Sequence, residues 1–230
     1  MKDAFTVDRS PPASVWLAGA SGLVGRALLD RLLADPRTDQ VHLLLRRAVR
    51  NLPSDPRVVT HEVDFDRLDS LPPADEVFIA LGTTIQQAGS QEAFRRVDFD
   101  AVVTTARAGR AAGARRLGVV SALGAHAAST VFYNRVKGEM QAAIIALGYP
   151  TVVFAQPSLL LGDRERLGQP TRRLEAWAMR WSRPVMGLLP RRVRPITAVD
   201  VAAALLRELR QAPPGVHLLS SGAMQGAAQA

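Results

Sequence analysis

At 230 residues, with 47% hydrophobic and 22% charged residues, the chain has the composition of one globular α/β domain able to bury a full core. The lack of cysteine excludes disulfides and thiol catalysis, and no apolar run approaches the ~18 residues of a membrane span. The net charge of +8 comes from 27 arginines and two lysines. They are spread along the chain without a basic block interleaved with aromatics, so a solvated basic surface is expected and no nucleic-acid partner.

Residues 1–13 read as a loose leader with no apolar signal region, which gives the expectation of a cytoplasmic protein. Val15 to Ala18 is the first strand, followed by the turn Gly-Ala-Ser-Gly-Leu-Val-Gly at 19–25 and a helix from about Leu23 to Ala34. Asp35-Pro36 stops that helix, because proline cannot continue it. Val41 to Leu45 is a second strand, apolar almost throughout, as a parallel strand covered on both faces should be. It runs into Arg46-Arg47. Val58 to Val63 is a third strand before Asp64, and Val77 to Ala80 a fourth before Leu81-Gly82-Thr83-Thr84. A helical stretch covers about Gln91 to Ala112, and a fifth strand closes at Val119-Val120 before Ser121. A helix from about Tyr133 to Leu147, a sixth strand from Thr151 to Ala155, a helix from Val199 to Leu209 and a last strand from Gly215 to Leu219 complete the pattern.

Strands alternating with helices and joined by crossover-length connections predict a Rossmann-like, doubly wound parallel sheet with helices on both faces. The expected domain spans 14–220, with a small substrate-side lobe at 162–195 and a flexible tail at 221–230. In that lobe Leu174, Trp177, Ala178 and Trp181 recur at helical spacing, as for packing on the main body, a lid, or a surface helix. Ligands of such sheets bind at the carboxyl ends of the strands, where Gly19, Arg46, Asp64, Gly82, Ser121 and Pro157 fall.

The glycine turn opens a helix whose free N–H groups and dipole suit a pyrophosphate. Gly19 takes the tight turn, Gly22 lets phosphate approach and Gly25 lets the helix lie on the strand. Ser21 stands where the strict G-x-G-x-x-G spelling has its second glycine, and a ligand-free turn is the alternative. Arg46 and Arg47 occupy the position after the second strand that reads the adenosine ribose. With no carboxylate there, guanidinium groups favour the 2′-phosphate of NADP(H); the alternative is two ordinary surface arginines. Tyr133 and Lys137, four apart, share a helix face, so the phenol can exchange a proton while the ammonium favours the phenolate and holds ribose. A chain that writes arginine nearly everywhere keeps lysine at 137, where a compact ammonium suits a shared tyrosine–ribose site. An exposed helical pair is the plain alternative. Ser121 either orients a substrate oxygen or caps a strand, and Thr83 and Thr84 either line a cofactor channel or satisfy loop backbone. The four scattered histidines offer no metal-ligand spacing.

With these motifs the chain resembles the short-chain dehydrogenase/reductase superfamily, and within it the atypical, epimerase-like NAD(P)H-binding branch that includes Tat-interacting proteins. The resemblance is carried by GASGLVG (19–25), LGTT (81–84), VSALGA (120–125), YNRVKGE (133–139) and Gln156-Pro157, and covers roughly residues 14 to 220. It implies NADP(H) held by Gly19, Ser21, Gly22, Leu23, Val24, Arg46, Arg47, Leu81, Gly82 and Thr83, with an adenine contact near Asp64 and a nicotinamide contact near Pro157. It also implies a Ser121, Tyr133, Lys137 centre. The chain departs from the pattern at Asp98, where many extended members have asparagine, and at Ala122 and Leu123, where consecutive serines are common. The resulting expectation is an NADP(H)-dependent oxidoreductase acting on a small carbonyl or alcohol. The alternative is a non-catalytic NADP(H)-binding regulator acting through a protein partner.

Overall fold

The structure, a computed structural model, describes residues 13–49, 51–68, 70–161, 190 and 192–229. Seven parallel strands form one sheet: β1 (Ala13–Ala18), β2 (Thr38–Leu45), β3 (Val58–Glu62), β4 (Glu76–Ile79), β5 (Arg116–Val120), β6 (Thr151–Gln156) and β9 (Gly215–Ser220). Their spatial order is β3-β2-β1-β4-β5-β6-β9. The chain runs outward from β1 to one edge, returns and fills the other side, so the topology reverses between β1 and β4. That reversal opens a crevice above the carboxyl ends of those two strands. A separate parallel pair joins β7 (Leu160–Leu161) to β8 (Ile196–Thr197).

Alternation along β1 explains the layers. Val15 and Leu17 face a core with α1 (Leu23–Ala34) and α6 (Ala198–Gln211), while Trp16 and Ala18 face a core with α4 (Ala101–Ala111) and α5 (Phe132–Ile145). Leu28, Leu29 and Leu32 of α1 and Val201, Leu205 and Leu209 of α6 are buried on the first side; Val102, Ala106, Met140 and Ile144 on the second. Thr197 starts α6 as its cap, its Oγ1 accepting from Asp200 N at 3.0 Å.

Two expectations need adjustment. The stretch near 91–112 is not one regular helix: α3 (Gln91–Arg95) passes through a π-helical turn, Arg96–Asp100, into α4. The Ala101 N–H reaches back five residues to Arg96 O, so one extra residue is accommodated and Asp98 turns into the interior. The flexible tail from 221 is corrected. Ser221–Met224 forms α7, Met224 is fully buried, and Ala228 accepts from Arg31 while its N–H donates to Asp200. The leader through residue 12, and the helical spacing of Leu174, Trp177, Ala178 and Trp181 in the expected lobe, lie outside the described residues.

Candidate functional site

A groove of about 1610 Å³ lies over the crevice between β1 and β4. It brings together Gly19, Ser21, Gly22, Leu23, Val24, Arg46, Arg47, Asp64, Leu81, Gly82, Thr83, Ser121, Tyr133, Lys137 and Pro157. Small-ligand pockets commonly run to about 300–1,000 Å³, so this one has room for an extended ligand such as a dinucleotide.

The floor is the glycine turn. Gly19 has φ +94°, and a Cβ there would lie 2.5 Å from Ala80 O, so the turn passes directly against the end of β4. A Cβ on Gly25 would fall 2.0 Å from Gly19 O, which seats α1 on the turn. Gly22 differs: its Cβ would meet only Gly19 O, at 3.4 Å, leaving space on its groove side. Gly22 caps α1 without any side-chain hydrogen bond, and no acid stands in the first turn. The first N–H groups of a helix of this length then remain for an anion.

At one end, Arg46 and Arg47 are exposed at the rim and make no ion pair with any other described residue. Asp64 begins a tight turn, its Oδ1 accepting from Asp66 N at 3.0 Å. At the other end stand Thr83, Ser121, Tyr133, Lys137 and Pro157. Thr84, by contrast, is occupied as the cap of the short helix α2 (Ile85–Ala88), accepting from Gln87 N.

The expected catalytic trio shares the groove, with unexpected partners. The Lys137 ammonium lies 2.7 Å from Asp98 Oδ1, with side-chain exposures of 3% and 1%. Asp98 Oδ2 accepts from Thr83 N at 2.9 Å. Ser121 is buried, and its Oγ accepts from Gln141 Nε2 at 2.7 Å. The Tyr133 phenol makes no hydrogen bond among the described residues, and its ring packs 5.4 Å from that of Phe94. The only other tyrosine, Tyr149, is structural: it donates to Ala106 O at 2.6 Å, and burial pushes its phenol far up. Gln141 escaped the sequence reading although it repeats a signal already used. Tyr133, Lys137 and Gln141 stand at successive four-residue steps and line one face of α5.

A parallel sheet whose order reverses over a glycine turn, with such a groove above it, defines a dinucleotide-binding α/β protein. Residues 19–149 match the NAD(P)H-binding family. The mitochondrial protein fmp52 of Emericella nidulans is 36% identical over 161 residues, which cover 66% of this chain and 69% of that protein. HTATIP2 of Rattus norvegicus is 36% identical over 157 residues, 66% of this chain and 64% of that protein. The fold of WbmG of Bordetella bronchiseptica, solved with NAD and UDP, matches with a TM-score of 0.68 at 18% identity. That match covers 94% of this chain and 75% of WbmG. UDP-glucose 4-epimerase of Thermotoga maritima, with UDP-glucose, gives 0.68 at 13%, over 91% of this chain and 77% of that one. The chain belongs to the NAD(P)H-binding family, in the atypical, epimerase-like branch of the short-chain dehydrogenases/reductases. The expectation of a cytoplasmic protein is corrected: the fmp52 relatives are mitochondrial proteins.

Proposed function

We propose that the protein is an NADP(H)-dependent oxidoreductase acting on a small carbonyl or alcohol. One observation carries the reading: a single groove runs from two arginines with no ion pair among the described residues, over an open helix N-terminus, to a tyrosine whose hydroxyl makes no hydrogen bond among them. The residues fit the cofactor. Arg46 and Arg47 would take the 2′-phosphate, the N–H groups after Gly22 would take the pyrophosphate, and Lys137 would hold the nicotinamide ribose at the end of the groove lined by Leu81, Gly82 and Pro157. When bound, the nicotinamide gives or takes the hydride. Tyr133 supplies the proton to the substrate oxygen on reduction, and removes it on oxidation. Lys137 stabilises the phenolate left behind, and Ser121 donates to the same oxygen.

Calorimetric titration with NADPH and NADH, followed by a carbonyl screen with Tyr133→Phe as control, tests this. Tight NADPH binding, with turnover lost in Tyr133→Phe but binding kept, is expected. Retained turnover in that variant rules out the acid. A second reading, a non-catalytic NADP(H)-binding regulator, draws on the engagement of Lys137 by Asp98 and of Ser121 by Gln141. It predicts NADPH binding without turnover of any carbonyl.

A further inference from the structure

Lysine is scarce in this chain, and the one in the groove is sequestered. Its side chain is 3% exposed, and its ammonium rests on the carboxylate of Asp98, a side chain 1% exposed on another helix. Asp98 reaches that place through the π-helical turn Arg96–Asp100, whose extra residue breaks the regular register of the helix; such turns recur at functional sites. The two oxygens of Asp98 are divided. Oδ1 takes the Lys137 ammonium and Oδ2 takes the Thr83 N–H. Gly82 lies against this junction, for a Cβ there would come within 3.4 Å of Asp98 Oδ1 and 4.0 Å of Lys137 Nζ. One carboxylate therefore ties α5 to the groove wall Leu81–Thr83, the two surfaces that flank the proposed nicotinamide end. Outside the groove Arg95 and Glu139 pair across the same two helices, so Asp98 does not hold the helices together alone.

We propose that Asp98 is a positioning residue: it fixes the Lys137 ammonium and the Thr83 amide relative to one another, and so sets the grip on the ribose end of the dinucleotide. The functional part of this statement rests on the cofactor reading above. Asparagine in this place accepts from the Thr83 N–H equally well but carries no charge for the ammonium. A wall-holding role and a lysine-positioning role thereby come apart. An ammonium without its carboxylate is free to turn among rotamers, and the entropy of fixing it falls on the binding step.

The test uses the full chain with Lys2→Arg, so that one lysine remains, labelled with 15N on Nζ. In the protein free of nucleotide, a held ammonium exchanges slowly enough to give an N–H cross-peak at neutral pH. We expect that peak with Asp98 intact, and its disappearance in Asp98→Asn. A missing peak in the parent, or an unchanged one in Asp98→Asn, overturns the anchor whether or not any nucleotide binds. Affinity for NADPH is then measured in a cycle of Asp98→Asn and Lys137→Met. About a tenfold loss is expected from Asp98→Asn alone, and no further loss when it is added to Lys137→Met. An equal loss in both backgrounds shows that Asp98 acts on the wall alone, and overturns the proposal. Should Asp98→Asn fail to fold, the peak in the parent protein still decides the anchor. If the parent binds neither NADPH nor NADH, the cofactor reading fails while the ammonium measurement stands by itself.

Discussion

Gln141 Nε2 donates to Ser121 Oγ at 2.7 Å, both side chains being buried between β5 and α5. A serine hydroxyl has one proton and two lone pairs. With a lone pair occupied by the amide, the proton is directed away from Gln141. In the proposed reaction that proton meets the substrate oxygen beside Tyr133. Gln141→Met keeps the volume and removes the donor. Stability should fall by about 1 kcal/mol, in keeping with one net buried hydrogen bond. Turnover of any carbonyl substrate should fall about tenfold, with NADPH affinity unchanged. Steady-state kinetics beside calorimetry checks this, and an unaltered kcat removes Ser121 from the reaction.

Arg46 is expected to read the 2′-phosphate. It lines the groove, is exposed and has no ion-pair partner among the described residues, so a phosphate need not displace a carboxylate to reach it. A charge-assisted contact contributes about 1.5–3 kcal/mol, or roughly ten- to a hundredfold in affinity. Arg46→Asp should weaken NADPH by at least that factor, since repulsion replaces attraction, and leave NADH within about threefold. Paired titrations decide it: equal losses for the two nucleotides would sink the assignment.

The glycine turn permits a cleaner test than most binding sites, because two of its glycines have different surroundings. A side chain at Gly25 collides with Gly19 O at 2.0 Å and must disturb the fold. A side chain at Gly22 meets only Gly19 O at 3.4 Å and otherwise projects where a pyrophosphate would lie. Gly22→Val should therefore melt close to the parent and lose NADPH binding by about a hundredfold or more, which corresponds to ~2.7 kcal/mol. Normal affinity in a folded Gly22→Val protein would place the dinucleotide elsewhere. Gly25→Val, by contrast, should fail in thermal unfolding before binding can be asked.

That contrast bears on what the sequence discloses. The first strand, its turn and α1 are legible because Gly25 is demanded locally, by the Gly19 carbonyl six residues before it, and Gly19 by its own positive φ, although the backbone it lies against, at Ala80, is remote in sequence. Lys137 is legible because an arginine-rich chain makes one of its only two lysines conspicuous. The Gln141–Ser121 bond is not, since it depends on how α5 settles on β5, twenty residues away. Nothing in Arg96–Asp100 announces a π-helical turn; the register is set by the burial of Asp98 against Lys137 and Thr83. The small residues after Gly222 resemble a solvated tail, yet Arg31 and Asp200, remote in sequence, supply the hydrogen bonds that pin Ala228.

Opposite the groove, at the amino ends of the strands, Arg210 locks the sheet. Its Nε and Nη2 donate to the Glu76 carboxylate at 2.9–3.2 Å, Nη2 also donates to Thr38 Oγ1 at 3.0 Å, and Nη1 lies 2.7 Å from Asp35 Oδ2. One guanidinium thus joins α6 to β2, to β4 and to the end of α1. Arg210→Met would leave the buried Glu76 without its cation, and loss of one partner of a buried pair costs about 3–5 kcal/mol. Asp35 adds a pH signature. Burial alone would raise its carboxyl, but hydrogen bonds from the Arg37 side chain and backbone, with the charge of Arg210, bring it down to about 2 from 3.8. Its folded value lies below the unfolded one, so its contribution is present in full above about pH 4 and drains away as the pH falls towards 2. Urea unfolding across that window should show stability declining with acid in the parent, and a shallower decline in Asp35→Asn. An identical acid slope in the two proteins would mean that Asp35 does not carry it.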